Sequence, residues 1–148
     1  MALDKIERDN KWLKQKLISI WQRYYPEINQ ANNVFIKFGR PCRTRLGSIK
    51  LGRRLQDPNT IITINGFFKD ETIPEFVIEA VIAHELTHYA QGFCSPHEQK
   101  HRFPHRGGVL KNEMIDRGLE DLLKLEKQWI KLNWTNYLKK QYFKPFLW

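Results

Sequence analysis

The stretch IPEFVIEAVIAHELTHYA, residues 73–90, constrains the fold more than any other part of the chain. Its apolar residues (Phe76, Val77, Ile78, Ala80, Val81, Ile82, Ala83, Leu86 and Tyr89) fall on every side of a helical wheel. A helix that is apolar all round has to be surrounded by the rest of its protein. The same stretch carries His84, Glu85 and His88, in the pattern His-Glu-x-x-His. Such groups are costly in an apolar interior unless an ion or hydrogen bonds satisfy them. On a helix the two imidazoles stand about 40° apart around the axis, so both can face one cation. Glu85 then lies to the side, where it can act on a water as general acid and base. The reading is a catalytic zinc ion held by His84 and His88; the plain alternative is a pair of satisfied core histidines.

The pattern occurs twice. His97-Glu98-Gln99-Lys100-His101 repeats it, among Ser, Pro, Gln, Lys and Arg. No apolar face would hold those imidazoles, and ligands need rotamers locked by packing. The second copy is therefore read as coincidence, with His97 and His101 as solvated loop residues. A catalytic zinc ion usually takes a third protein ligand and keeps one position open. His105 is the first choice, because Pro104 before it and Gly107-Gly108 after it make a fixed corner from which a new helix can start. Glu113 is the main rival, as a carboxylate on that following helix; His97, His101, Glu98 and Cys94 stay open behind them.

Around this helix the periodicities predict an α+β domain. Leu3, Ile6, Leu13, Leu17, Ile20, Trp21 and Tyr24 recur at helical spacing over residues 3–25, ahead of Pro26. NVFIKF (33–38), LGSIKL (46–51) and TIITIN (60–65) read as three strands, with Asp57-Pro58-Asn59 as a turn between the last two. With no helix between them, they are expected to form an antiparallel meander. Thr72 and Glu75 have the spacing of a capping box for the central helix. From about residue 107 the helical period returns and runs toward residue 143, with a break near Gly118 and a buried stripe of Leu119, Leu122, Leu123, Ile130, Tyr137 and Leu138. The 148 residues suit one domain with one core.

Composition narrows the function classes. At 41% apolar and 28% charged the chain is neither disordered nor fibrous. No apolar run approaches the roughly 18 residues of a membrane span, and the charged N-terminus is unlike a signal peptide, so the expected location is cytoplasmic, in association with the nucleoid or DNA. Cys42 and Cys94 are too few for a zinc ribbon and are expected to be reduced. The formal net charge of +9 favours a polyanionic partner such as DNA. Arg40, Arg43, Arg45, Arg53 and Arg54, in a stretch with no acid from 40 to 54, are the candidate phosphate contacts. In the C-terminal segment the aromatics are expected to face inward and the lysines to face water.

Three segments also carry a family resemblance: RTRLGSIKL followed by TIITIN, then IPEFVIEAVIAHELTHYA, then HRGGVLKNEM, in which Gly107, Leu110 and Met114 follow His105. Over residues ~34–115 the chain resembles the SprT-like zinc metalloproteases, the family of the Spartan-type proteases of DNA–protein crosslinks. Arg106 stands where many members have Gly directly after the third histidine, and the zinc ribbon that many members carry is lacking. The resemblance implies a zincin-like fold, zinc held by His84, His88 and His105, Glu85 as catalytic acid/base, and a peptidase acting on protein substrates at DNA. The strand preceding the helix is expected to pair with an extended peptide substrate. Two other functions fit the same residues: a non-catalytic, zinc-stabilised module that binds nucleic acid or a partner, and a glutamate-type zinc peptidase unrelated to DNA that uses Glu113.

Overall fold

A computed structural model describes residues 7–143. The order is α1 (Asn10–Tyr24), β1 (Val34–Phe38), β2 (Gly47–Leu51), β3 (Thr60–Ile64), a 3-10 turn (Gly66–Lys69), α2 (Glu75–Ala90), α3 (Val109–Asp116), α4 (Glu120–Trp129), a π-helical segment (Ile130–Trp134) and α5 (Thr135–Tyr142). The fold is α+β. Leu3 and Ile6, expected on the first helix, lie outside the described residues. The helix itself starts later than periodicity suggests. Asp9 caps it, accepting a 2.8 Å bond from the Trp12 amide.

The three strands stand where their β-branched residues place them, but the antiparallel meander is not formed. The order is β1-β3-β2, with β1 parallel and β2 antiparallel to β3. The last strand is inserted between the first two. Its run Thr-Ile-Ile-Thr-Ile is the most completely buried of the three, which suits a central position. Residues 39–46 must then pass across the end of β3, and Asn65 holds them there. Its amide donates to the carbonyls of Cys42 (2.6 Å) and Arg45 (2.9 Å), and its Oδ1 accepts from the Cys42 amide (3.2 Å). The consequence for function is that β2 is an edge strand.

α2 lies at the centre, as its apolar circumference requires. Val77, Ile78, Ala80, Ile82, Ala83, Leu86 and Tyr89 are fully buried. The expected capping box is not made: Pro74 occupies the N-cap, and Thr72 turns back to Asp70 through bonds of 2.9 and 2.8 Å. One apolar core joins α1, the sheet, α2, Met114, Leu119 and Trp134. The break after α3 falls at Gly118, which takes a φ of +86°, in the left-handed region open to glycine. Past it the stripe Leu122, Leu123, Ile130, Tyr137 and Leu138 packs on the core, with Trp129 beside it. Trp134 stacks on Tyr137 at 5.6 Å and donates to the Arg43 carbonyl at 2.9 Å, tying the C-terminal helices to the 39–46 crossing. Tyr142 and Phe143 are exposed, and Trp148 lies outside the described residues.

Arg8 closes the bottom of this arrangement. Its guanidinium is buried and donates to the carbonyls of Phe68 (3.1 Å), Asp70 (2.8 Å) and Ile73 (2.7 Å), just before α2 begins. Arg8→Met leaves these carbonyls without donors and is expected to destabilise the fold by about 3 kcal/mol, measured by urea denaturation. A loss below about 0.5 kcal/mol would mean that water replaces the guanidinium.

Candidate metal centre and catalytic cleft

The face of α2 opposite the site is held by hydroxyls. Tyr25 lies 2.5 Å from Thr87 Oγ1 and donates to the Ala83 carbonyl at 3.0 Å, and Thr87 also bonds that carbonyl at 2.8 Å. Tyr89 donates to Asn32 at 2.8 Å. With its back fixed in this way, α2 presents His84, Glu85 and His88 in one orientation. The His84 and His88 ring centroids are 5.0 Å apart. Glu85 and His88 are buried, and His84 is half-buried.

His105 approaches the pair from a different segment. It sits in a turn closed by the Arg106 amide on the Phe103 carbonyl (3.1 Å), and its ring centroid lies 4.7 Å from that of His88. Gly107 and Gly108 follow with φ of +69° and +67°, and α3 starts from them. Phe93, just past the end of α2, packs edge-on against His105 and tilted against His88, at 5.4 and 5.2 Å. Glu113 is engaged elsewhere: its two oxygens accept from Gln91 (3.2 Å) and Arg117 (3.1 Å). His97 bonds the Asn29 carbonyl at 2.7 Å and meets Tyr89 edge-on, and residues 97–101 are not helical. The second His-Glu-x-x-His therefore does not place its two imidazoles one helical turn apart.

Burial sets the electrostatics. Desolvation, followed by the nearby His105, pushes His84 down to about 4, and desolvation with both neighbouring rings does the same to His88. Two neutral imidazoles at neutral pH are the form that binds a metal. Desolvation raises Glu85 to about 7, opposed by the positive charge of Arg45. Among the described residues, no group of three or more His, Cys, Asp or Glu side chains is arranged so that it could hold a metal ion. The donor chemistry nevertheless fits zinc: three imidazoles come from two segments, and the buried Nδ1 of one of them, His88, has no hydrogen-bond partner among the described residues.

A cleft of about 420 Å³ opens beside this group, lined by Thr44, Arg45, Leu46 and Gly47 at the start of β2, Val81, His84 and Glu85 on α2, and Glu126 on α4. A larger cavity, of about 740 Å³, touches none of the histidines; it lies among the loops near Asn32, Arg54, Pro58 and Pro96. Chemistry therefore favours the smaller cleft. Sequence reasoning missed Phe93 and Glu126, which have no fixed spacing from the motif. Arg45, a candidate phosphate contact, also lines this cleft. The five arginines are all exposed, and Arg40 and Arg45 line one small cavity together. Arg43 stacks on Tyr142 at 4.5 Å, Arg40 lines a small cavity with Cys42 and Asn65, Arg54 borders the large cavity, and Arg53 lies in the 52–59 connection.

β2 and α2 touch at Gly47. A Cβ there would lie 2.6 Å from Val81 Cγ1 and 3.3 Å from Glu85 Oε1. Gly47→Ala is therefore expected to push the strand off the helix, at a cost of about 1–3 kcal/mol, and to displace Glu85. Thermal unfolding and a crystal structure of the variant check this; an unmoved strand with unchanged stability would refute it.

No protein-family model matches the chain, and no curated protein or solved structure matches it significantly. No helix among the described residues is long and apolar enough to cross a membrane. Cys42 and Cys94 are free thiols.

Proposed function

We propose that the protein is a zinc-dependent endopeptidase of the SprT-like, zincin-like kind, with His84, His88 and His105 as metal ligands and Glu85 as general acid/base. The observation that carries this reading is a buried carboxylate between two imidazoles on the central helix, with a third imidazole brought to the pair from a separate turn and an open cleft alongside. Zinc bound by the three imidazoles would supply Lewis acidity toward a peptide carbonyl and make water acidic enough to react near neutral pH. Glu85 takes a proton from the attacking water on its carboxylate and passes it to the departing amide nitrogen. Its raised pKa of about 7 suits a group that must both accept and release that proton. Arg45, exposed on the opposite wall, is the candidate donor to the oxygen on which negative charge develops.

The strand that precedes α2 in sequence, β3, has partners on both sides and cannot take a peptide. The edge strand β2, which borders the cleft, keeps one row of backbone groups for an extended substrate. Such pairing reads no side chains and suits a protease of broad specificity. Two observations weigh against the other functions. A purely structural zinc has no use for Glu85 beside an open cleft, and Glu113 is already paired with Gln91 and Arg117. Incubating the zinc-loaded chain with casein, with and without chelator, tests the proposal. Chelator-sensitive cleavage is expected; a zinc-edge anomalous map showing a fourth protein side chain on the ion would overturn it in favour of a structural site.

The net charge of +9 supports action close to DNA. With Arg45 in the cleft and Arg43 stacked on Tyr142, Arg53 and Arg54 are the arginines best placed for phosphate. Reversing both to Glu is expected to weaken salt-sensitive DNA binding by at least about tenfold in fluorescence anisotropy, and unchanged affinity would remove DNA from the proposal.

A further inference from the structure

Another cavity, of about 340 Å³, lies between α2, α3 and the α4 end of the C-terminal helices. Its walls are Leu110 and Met114 from α3, Leu123 from α4 and Ile130 from the π-helical segment. Met114 is buried and the three aliphatic residues are half-buried. His84 and Glu126 line this cavity and the catalytic cleft alike, so the two spaces adjoin at these residues. Lys111 and Lys127 border it too, but both are exposed residues, whose charged heads can stay in water while their stems close the sides.

Apolar walls in immediate contact with a cleft that holds an extended peptide select by size and hydrophobicity. From this contiguity we propose that the cavity is a substrate subsite that takes one large aliphatic or aromatic side chain of the peptide being cut, with Glu126 at its mouth. The assignment rests on the peptidase reading for its biological meaning, but it can be tested without catalysis. It also gives the C-terminal helices a role: α4 supplies the wall that makes the enzyme selective at one position on an otherwise sequence-blind strand.

The chain has two methionines, and Met114 is the one in this cavity. The full chain carrying Glu85→Gln and isotope-labelled methionine methyls is titrated with N-acetyl-leucinamide and, separately, with N-acetyl-alaninamide, with the Met114 signal assigned by Met114→Leu. A saturable Met114 shift with the leucine probe, much weaker with the alanine probe and abolished by the cavity-filling Leu123→Trp or Leu110→Phe, is expected. In the active chain, Leu123→Trp is expected to change the ratio of cleavage rates between peptides with Leu and with Ala at the selected position by about tenfold or more, in favour of Ala. A Met114 signal that ignores the leucine probe, or answers both probes equally, overturns the subsite. A selective shift in a chain that cuts no peptide with zinc present keeps the subsite and removes the peptidase. Cleavage without any side-chain preference, with Met114 unmoved, keeps the peptidase and removes the subsite.

Discussion

Glu85→Gln is expected to lower zinc-dependent proteolysis by about a hundred- to ten-thousand-fold while leaving the zinc content at the wild-type value. The amide has the shape of the carboxylate but cannot accept the water proton. Because Glu85 is buried and its pKa is raised by desolvation, the amide is also less costly in that place than the charge, so the variant should be at least as stable as the parent. This combination separates a chemical role from a structural one: lost activity together with lost stability would point to misfolding. Zinc content by atomic emission, casein cleavage and thermal unfolding on one preparation check all three. If the variant cuts as fast as wild type, Glu85 is not the base.

The second large effect is on the metal. His84→Ala, His88→Ala and His105→Ala are each expected to weaken zinc binding by more than about a hundredfold, since removing even an outer-shell partner of a ligand typically costs ten- to a hundredfold. His97→Ala should leave zinc unchanged, because His97 is held by the Asn29 carbonyl and Tyr89, away from the cluster. Competition against a zinc-responsive dye measures each value. His105→Ala is the most informative of the four: its ring is exposed and comes from a turn rather than from α2. Full zinc affinity in that variant would mean that the third donor is another group. Glu113→Gln would then show a loss of zinc if the carboxylate were that donor, and a loss of stability alone if its role is to hold Gln91 and Arg117.

Much of the architecture could be read in advance because it depends on local pattern. The apolar circumference of residues 73–90 demanded a buried helix. The β-branched runs marked three strands, and Gly118 marked the end of a helix. The sheet order could not be read in this way. A strand records in its own sequence how fully it is buried, but not which neighbour buries it. The order β1-β3-β2 depends on the 39–46 crossing and on Asn65, whose hydrogen bonds to Cys42 and Arg45 connect residues 20 or more apart in sequence. The capping box failed for a related reason: Thr72 had a nearer acceptor in Asp70, a local competition that the spacing rule does not include.

What the sequence by itself determined is the helix that must be central and the His84, Glu85 and His88 triplet it carries, because helical periodicity alone puts those groups side by side. Tertiary structure decided which groups meet them. It brought the His105 turn against His88, engaged Glu113 with Gln91 and Arg117, and placed Arg45 in the wall of the cleft that Glu85 lines. It also made β2 an edge and placed Glu126 beside His84. Each of these depends on how segments far apart in the chain pack onto one helix, and packing of that kind leaves no periodic signal in any single segment.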